Sequence, residues 1–97
     1  MIKLTGKQAR HLRALGHHLQ PVVMIGKNEL DPRVIEELDK QLSAHELVKI
    51  RILDSCLTDR RELAPMLAAA TGAGVAQIVG RTLLLYRPAE TPVIKLP

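Results

Sequence analysis

The residues best placed to do chemistry are Gly26, Lys27 and Asn28. They follow an apolar run, Val22-Val23-Met24-Ile25, and they precede Asp31-Pro32. Asp before Pro is a helix-start signature, with Asp as the N-cap and Pro at the first helical position. The order is therefore strand, glycine-hinged loop, helix N-terminus. Such a loop can aim backbone N–H groups and one lysine at an anion. It also suits a plain tight connection in which the glycine takes a positive φ and the lysine is solvated. A single Gly-Lys does not separate these readings, and the spacing and hydroxyl residue of a nucleotide-binding P-loop are missing.

The upstream segment favours the anion. From Met1 to Asn28 the charged residues are Lys3, Lys7, Arg10, Arg13 and Lys27, with no Asp or Glu among them. Thr5 to Leu19 reads as a helix opened by a Thr5/Gln8 capping box. Leu12, Leu15, Gly16 and Leu19 fall on one side of it. Lys7, Arg10, Ala14 and His17 fall on the other, with Arg13 beside them. A merely solvated helix mixes signs and pairs them four residues apart; this face has no acid to pair with. Phosphate is the expected ligand, and the expected phosphate-contacting set is Lys7, Arg10, Arg13, His17, Gly26, Lys27 and Asn28.

Composition narrows the possibilities. A chain of 97 residues with 46% hydrophobic residues forms one globular domain. With one Tyr and no Phe or Trp, its core is aliphatic, and it lacks an aromatic platform for stacking single-stranded bases. The formal net charge is +4. Acids gather at Glu36, Glu37 and Asp39, while bases recur at Lys49, Arg51, Arg60, Arg61, Arg81 and Arg87. The lone Cys56 has no disulfide partner, and no apolar run approaches membrane-spanning length. These features lead us to expect a soluble cytoplasmic monomer.

Neither a metal, a cofactor nor an active site is expected. His17 and His18 point about 100° apart on a helix, which makes no chelate; His11 and His45 have no ligand spacing either. Asp54 and Asp59 flank Cys56, and acids push a thiol away from its reactive form. Nothing assembles a nucleophile, a base and oxyanion donors.

The remaining elements follow from periodicity. Asp31–Ala44 is an amphipathic helix with Val34, Ile35, Leu38 and Leu42 on its apolar stripe. Leu47–Leu53 alternates as a strand, with Val48, Ile50 and Ile52 on one face and Lys49 and Arg51 on the other. Asp59–Thr71 is a third helix, with Asp59 and Glu62 as a capping pair and Gly72 as its C-cap. Pro65 fits poorly inside it, so a late start or a kink is expected. Val75–Val79 and Thr82–Arg87 form a hairpin through Gly80-Arg81, which suits a type II′ turn. Ala89–Pro97 reads as an extended tail. The order α-β-α-β-α-β-β implies a single α/β (α+β) domain over residues 1–97, built on a mixed four-stranded sheet with parallel pairs. Helices should cover one sheet face and leave the other at least partly wet and basic. Lys49 and Arg51 then serve either to solubilise that face and guard against edge pairing or as a secondary RNA or protein contact, the RNA contact with Arg81.

Taken together, these residues resemble the CRM domain, the module of chloroplast RNA splicing and ribosome maturation, in its small stand-alone bacterial YhbY-like form. The likeness covers about residues 4–87. It rests on Leu4-Thr5 with Arg10 and Leu12-Arg13-Ala14-Leu15, His17-His18-Leu19-Gln20-Pro21-Val22-Val23, Ile25-Gly26-Lys27-Asn28, Ala44-His45-Glu46-Leu47-Val48-Lys49, Gln77-Ile78-Val79-Gly80-Arg81, and Leu85-Tyr86-Arg87-Pro88. The resemblance implies a fold like the C-terminal domain of translation initiation factor three. It also implies binding to structured RNA, in association with ribosomal RNA in large-subunit precursors during ribosome assembly. In that family a Gly-Lys-x-Gly loop and the basic first helix form the RNA surface. Gly26, Lys27 and Asn28 match the first three loop positions, and Lys7, Arg10 and Arg13 match the helix. The fourth loop position departs from the pattern: it is Glu29, a carboxylate that repels phosphate unless it turns away or caps the next helix. Two rival readings are a module docking on an acidic ribosome-associated protein and an RNA-processing enzyme.

Overall fold

A computed structural model describes residues 1–97. The elements in chain order are α1 (Gly6–Gly16), β1 (Val23–Ile25), α2 (Pro32–His45), β2 (Leu47–Ile52), α3 (Arg60–Thr71), β3 (Gly74–Val79) and β4 (Thr82–Tyr86). Their starts are fixed by local chemistry. The Thr5 side chain accepts from Gln8 N, and the Gln8 side chain accepts from Thr5 N, closing a capping box. Asp31 and Asp59 each cap a helix by accepting from the N–H two residues on. The expected reciprocal partner of Asp59, Glu62, makes no return bond; only its backbone N–H joins the cap, to Asp59 O. Helix α3 starts on time at Arg60 and carries Pro65 inside it. It ends at Gly72, whose φ of 70° is the left-handed C-cap glycine tolerates. Gly80 has a positive φ and Arg81 does not, the pattern of a type II′ turn rather than a type I′ turn.

The sheet order is β1-β2-β4-β3. β1 lies parallel to β2, whereas β4 is antiparallel to both β2 and β3. Only one neighbouring pair is therefore parallel, fewer than the helix–strand alternation suggested. The reason is that β4 inserts between β2 and β3 and separates the two strands that α3 connects. A bulge between Val75 and Gln77 shifts the β3 register.

The two sheet faces carry two cores. α2 and α3 cover one face, where Leu38, Leu42, Leu63 and Leu67 pack on Ile25, Val48, Ile50, Leu83 and Leu85. α1 covers part of the other, where Leu12 meets Leu47, Ala76, Leu84 and Tyr86. Gly16 permits this close approach, because a Cβ there would lie 2.7 Å from Leu84 Cδ2. α1 stops at Gly16, short of the expected Leu19. Leu15, within the helix, and Leu19, beyond it, both sit outside the core, 43% and 37% exposed. The uncovered part of this face carries Met24, Lys49, Arg51 and Val79.

The tail beyond β4 has no regular structure but is not free. Glu46 is 4% exposed and its carboxylate accepts from the backbone N–H groups of Ala89, Val93 and Ile94 at 2.7–3.0 Å. Ile94 and Leu96 then pack against the second core.

Candidate nucleic-acid interface

α1 lies over the sheet so that its C-terminal turn reaches the uncovered half of the face. An open groove of about 460 Å³ results there, lined by Arg13, His17, Leu19, Gln20, Pro21, Lys49, Arg51, Gln77, Val79 and Thr82. Four basic residues from two distant stretches of sequence converge on it, and no Asp or Glu lines it. None of the four is engaged in an ion pair. Register explains the spacing. Arg51 stands opposite Met24 on one side and Thr82 on the other, and Lys49 stands opposite Leu84, one step closer to the helix. The alternation of β2 thus turns both bases toward the same groove that Arg13 and His17 border from above.

The other expected site residues are distributed differently. Lys7 and Arg10 are exposed on α1, one and two turns back toward its N-terminus, and they do not line the groove. Gly26, Lys27 and Asn28 follow β1 and lie outside it as well. Gly26 does not take a positive φ. Its missing Cβ instead makes room for Ser55, whose Oγ would sit 2.7 Å from that atom. The N-terminus of α2 offers no free anion site, because Pro32 has no N–H and Asp31 already accepts from Arg33 N. What the loop presents is the exposed Lys27 side chain and the N–H groups of Lys27 and Asn28, which have no acceptor within the chain.

Glu29 turns away from any ligand on that loop. It occupies the left-handed region at φ 28°, a backbone conformation that favours glycine. Its carboxylate accepts from Thr58 N at 2.7 Å and Leu57 N at 3.1 Å, with the Cys56 thiol at 3.4 Å. The bonds to Thr58 above all hold the Glu29 carboxyl below its ordinary range. Burial and the neighbouring Glu29 push the Cys56 thiol up, which disfavours its nucleophilic form.

Two other bases have partners within the fold. Arg87 donates to the Asp39 carboxylate and carbonyl, to Ser43 Oγ at 2.8 Å and to the carbonyl of Thr71 at 2.8 Å, tying β4 to α2 and α3. Arg81 pairs with Asp54 at 2.7 Å beside the β3–β4 turn. Glu46 was overlooked in the sequence as a functional group of the fold. A lone acid directly before a buried strand was the only available signal. No group of three or more His, Cys, Asp or Glu is arranged to hold a metal ion, and no helix is long and apolar enough to cross a membrane.

Residues 4–87 match the CRS1 / YhbY (CRM) domain. The chain belongs to this family. Among relatives of the CRM domain described here, "Probable RNA-binding protein YqeI" of Bacillus subtilis is 36% identical over 97% of this chain and 99% of its own length. An "RNA-binding protein" of Haemophilus influenzae is 37% identical over 100% of this chain and 98% of its own. A "Probable RNA-binding protein" of Methanocaldococcus jannaschii is 46% identical over 91% of this chain, which spans 66% of that longer protein. The solution structure of a hypothetical protein from Staphylococcus aureus superimposes with a TM-score of 0.83, at 38% identity, over 98% of this chain and 100% of that one. The CRM domain here therefore keeps the shared architecture while filling the fourth loop position with Glu29.

Proposed function

We propose that this CRM domain is a non-catalytic RNA-binding protein that acts in the cytoplasm on ribosomal RNA within large-subunit precursors. The observation carrying this reading is the acid-free groove in which Arg13, His17, Lys49 and Arg51 converge. Relatives named as RNA-binding proteins support the choice of RNA over an acidic protein. Arginine forks bridge phosphate oxygens bidentately, and lysine adds a point charge. Arg10 and Lys7 extend the same face along α1, and Lys27 supplies a further cation beyond β1. With no aromatic platform, recognition rests mainly on RNA shape, phosphates and 2′-hydroxyls.

Neutralising about five phosphates corresponds to a log–log salt slope of roughly −3 to −5. Fluorescence anisotropy with a structured ribosomal RNA fragment, titrated across salt, measures it. A slope near zero overturns the reading. For the ribosomal role, gradient sedimentation of an extract should place the protein with large-subunit precursors, and ribonuclease should release it. A protein that stays with its partner after ribonuclease would instead be docked on protein.

A further inference from the structure

Beside the basic groove lies a second, apolar one of about 400 Å³, lined by Leu15, Leu19, Gln20, Val22, His45, Leu47, Val48, Lys49 and Ile94. Leu19, Gln20 and Lys49 line both, so the two are continuous. Leu15, Leu19 and Val22 remain 43%, 37% and 48% exposed around it. They cluster because α1 ends at Gly16, which leaves the expected end of its apolar stripe uncovered next to edge strand β1. The floor is Leu47 together with the β2 backbone at Val48, whose side chain points into the core on the other face, and Ile94 is held in place through the tail's attachment to Glu46. The groove is thus a formed feature of the fold.

We infer that this apolar groove receives the base of an unpaired nucleotide whose phosphates lie in the neighbouring basic groove. This rests on the RNA-binding reading and gives it a substrate class: duplex RNA interrupted by a bulged or flipped-out nucleotide. Continuity decides the occupant. A backbone crossing Lys49 has phosphate partners at Arg13, His17 and Arg51 on one side and an aliphatic floor on the other. A nucleotide is the ligand that carries an anion and a flat, largely apolar body in one residue. Leu and Val side chains give the base nonpolar contact without an aromatic ring. Gln20 and His45 supply donors and acceptors at the rim for its edge. A fully paired A-form helix keeps its bases stacked and leaves such a groove empty.

The test compares two RNA hairpins of the same stem, one fully paired and one with a single bulged nucleotide, by anisotropy at fixed salt. Three proteins are used: wild type, Leu15→Gln/Val22→Gln, whose two positions line the apolar groove but not the basic one, and Lys49→Ala/Arg51→Ala. Wild type should prefer the bulged hairpin at least fivefold. The glutamine pair should lose that preference while binding the paired hairpin as wild type does, which also shows that it is folded. The alanine pair should weaken binding to both RNAs alike. Equal, salt-dependent affinity of wild type for the two hairpins overturns the base pocket and leaves the RNA-binding reading standing. A preference retained by the glutamine pair overturns it too. Absence of binding to either RNA overturns both.

Discussion

Glu29 and Glu46 show how a carboxylate in a basic protein can serve the fold rather than a ligand. Each is at a positive φ, 28° and 60°, which non-glycine residues adopt only when their surroundings hold them there. At Glu46, burial alone would raise the carboxyl, but three backbone N–H donors outweigh it and bring it below its ordinary 4.5. A group depressed in the folded state stabilises fully above its unfolded value. That contribution is lost as the pH falls from about 4.5 through the lowered folded value. Glu46→Gln should therefore cost about 1–3 kcal/mol near neutral pH, since an amide cannot replace a carboxylate acceptor for three donors. Urea denaturation should also show a flatter acid limb for the variant than for wild type. Glu29 acts the same way on a smaller segment. Glu29→Gly relieves its backbone but removes the acceptor for Leu57 and Thr58, so amide exchange at those two residues should speed up by about tenfold. Unchanged exchange there would mean that the loop is held by something else. For Glu29 the sequence left open that it repels phosphate, turns away or caps the next helix, and its partners Leu57 and Thr58 were not legible; for Glu46 it held no reading at all. A lone Glu beside a glycine-rich loop or a strand carries no signal of what it will meet across the fold.

Most of the element order was readable because its determinants are local. The Thr5/Gln8 box, Asp31-Pro32, Asp59 and Gly72 are decided by residues within four positions of one another, and the alternation of Leu47–Ile52 reports a half-buried strand directly. The placement of α1 was not readable, since its helical period marks an apolar side without saying how much sheet lies below. Leu12 and Gly16 found the sheet, while Leu15 and Leu19 ran past it. Basic residues divide in the same way. Lys49 and Arg51 looked like a solvated face, and only strand register puts them opposite Arg13 and His17. Arg87 looked like one more cation, yet it joins three elements through Asp39, Ser43 and Thr71. Arg87→Ala should lower stability by about 1.5–3 kcal/mol. Its RNA affinity, measured below the melting transition, should match wild type. Arg51→Ala should do the reverse, leaving stability within about 0.5 kcal/mol and reducing the salt slope by about 1. A slope unchanged by Arg51→Ala would exclude β2 from the interface.

At the scale of the whole molecule, what matters is where the charge sits rather than how much there is. The formal net charge of +4 is modest. However, the acids Glu36, Glu37 and Asp39 lie on α2, behind the sheet, whereas the basic groove opens on the α1 side. The shortest dimension of the domain is 22 Å, well beyond the Debye length of about 8 Å at physiological salt. Each face therefore acts nearly alone on a polyanion. This separates a directed interface from indiscriminate attraction. Glu36→Gln/Glu37→Gln removes two negative charges from exposed positions of α2 and so raises the net charge by two. If RNA is held by the groove, that variant should bind within about twofold of wild type at physiological salt, while Lys49→Ala/Arg51→Ala should lose about tenfold or more. If net charge alone drives binding, the α2 variant should bind distinctly tighter. A gain by the α2 variant over wild type should emerge only as salt is lowered, because at about 0.01 M the Debye length grows to about 30 Å and the back of the domain comes within reach of the RNA. A titration of both variants from low to physiological salt thus measures how far this CRM domain reads position rather than charge.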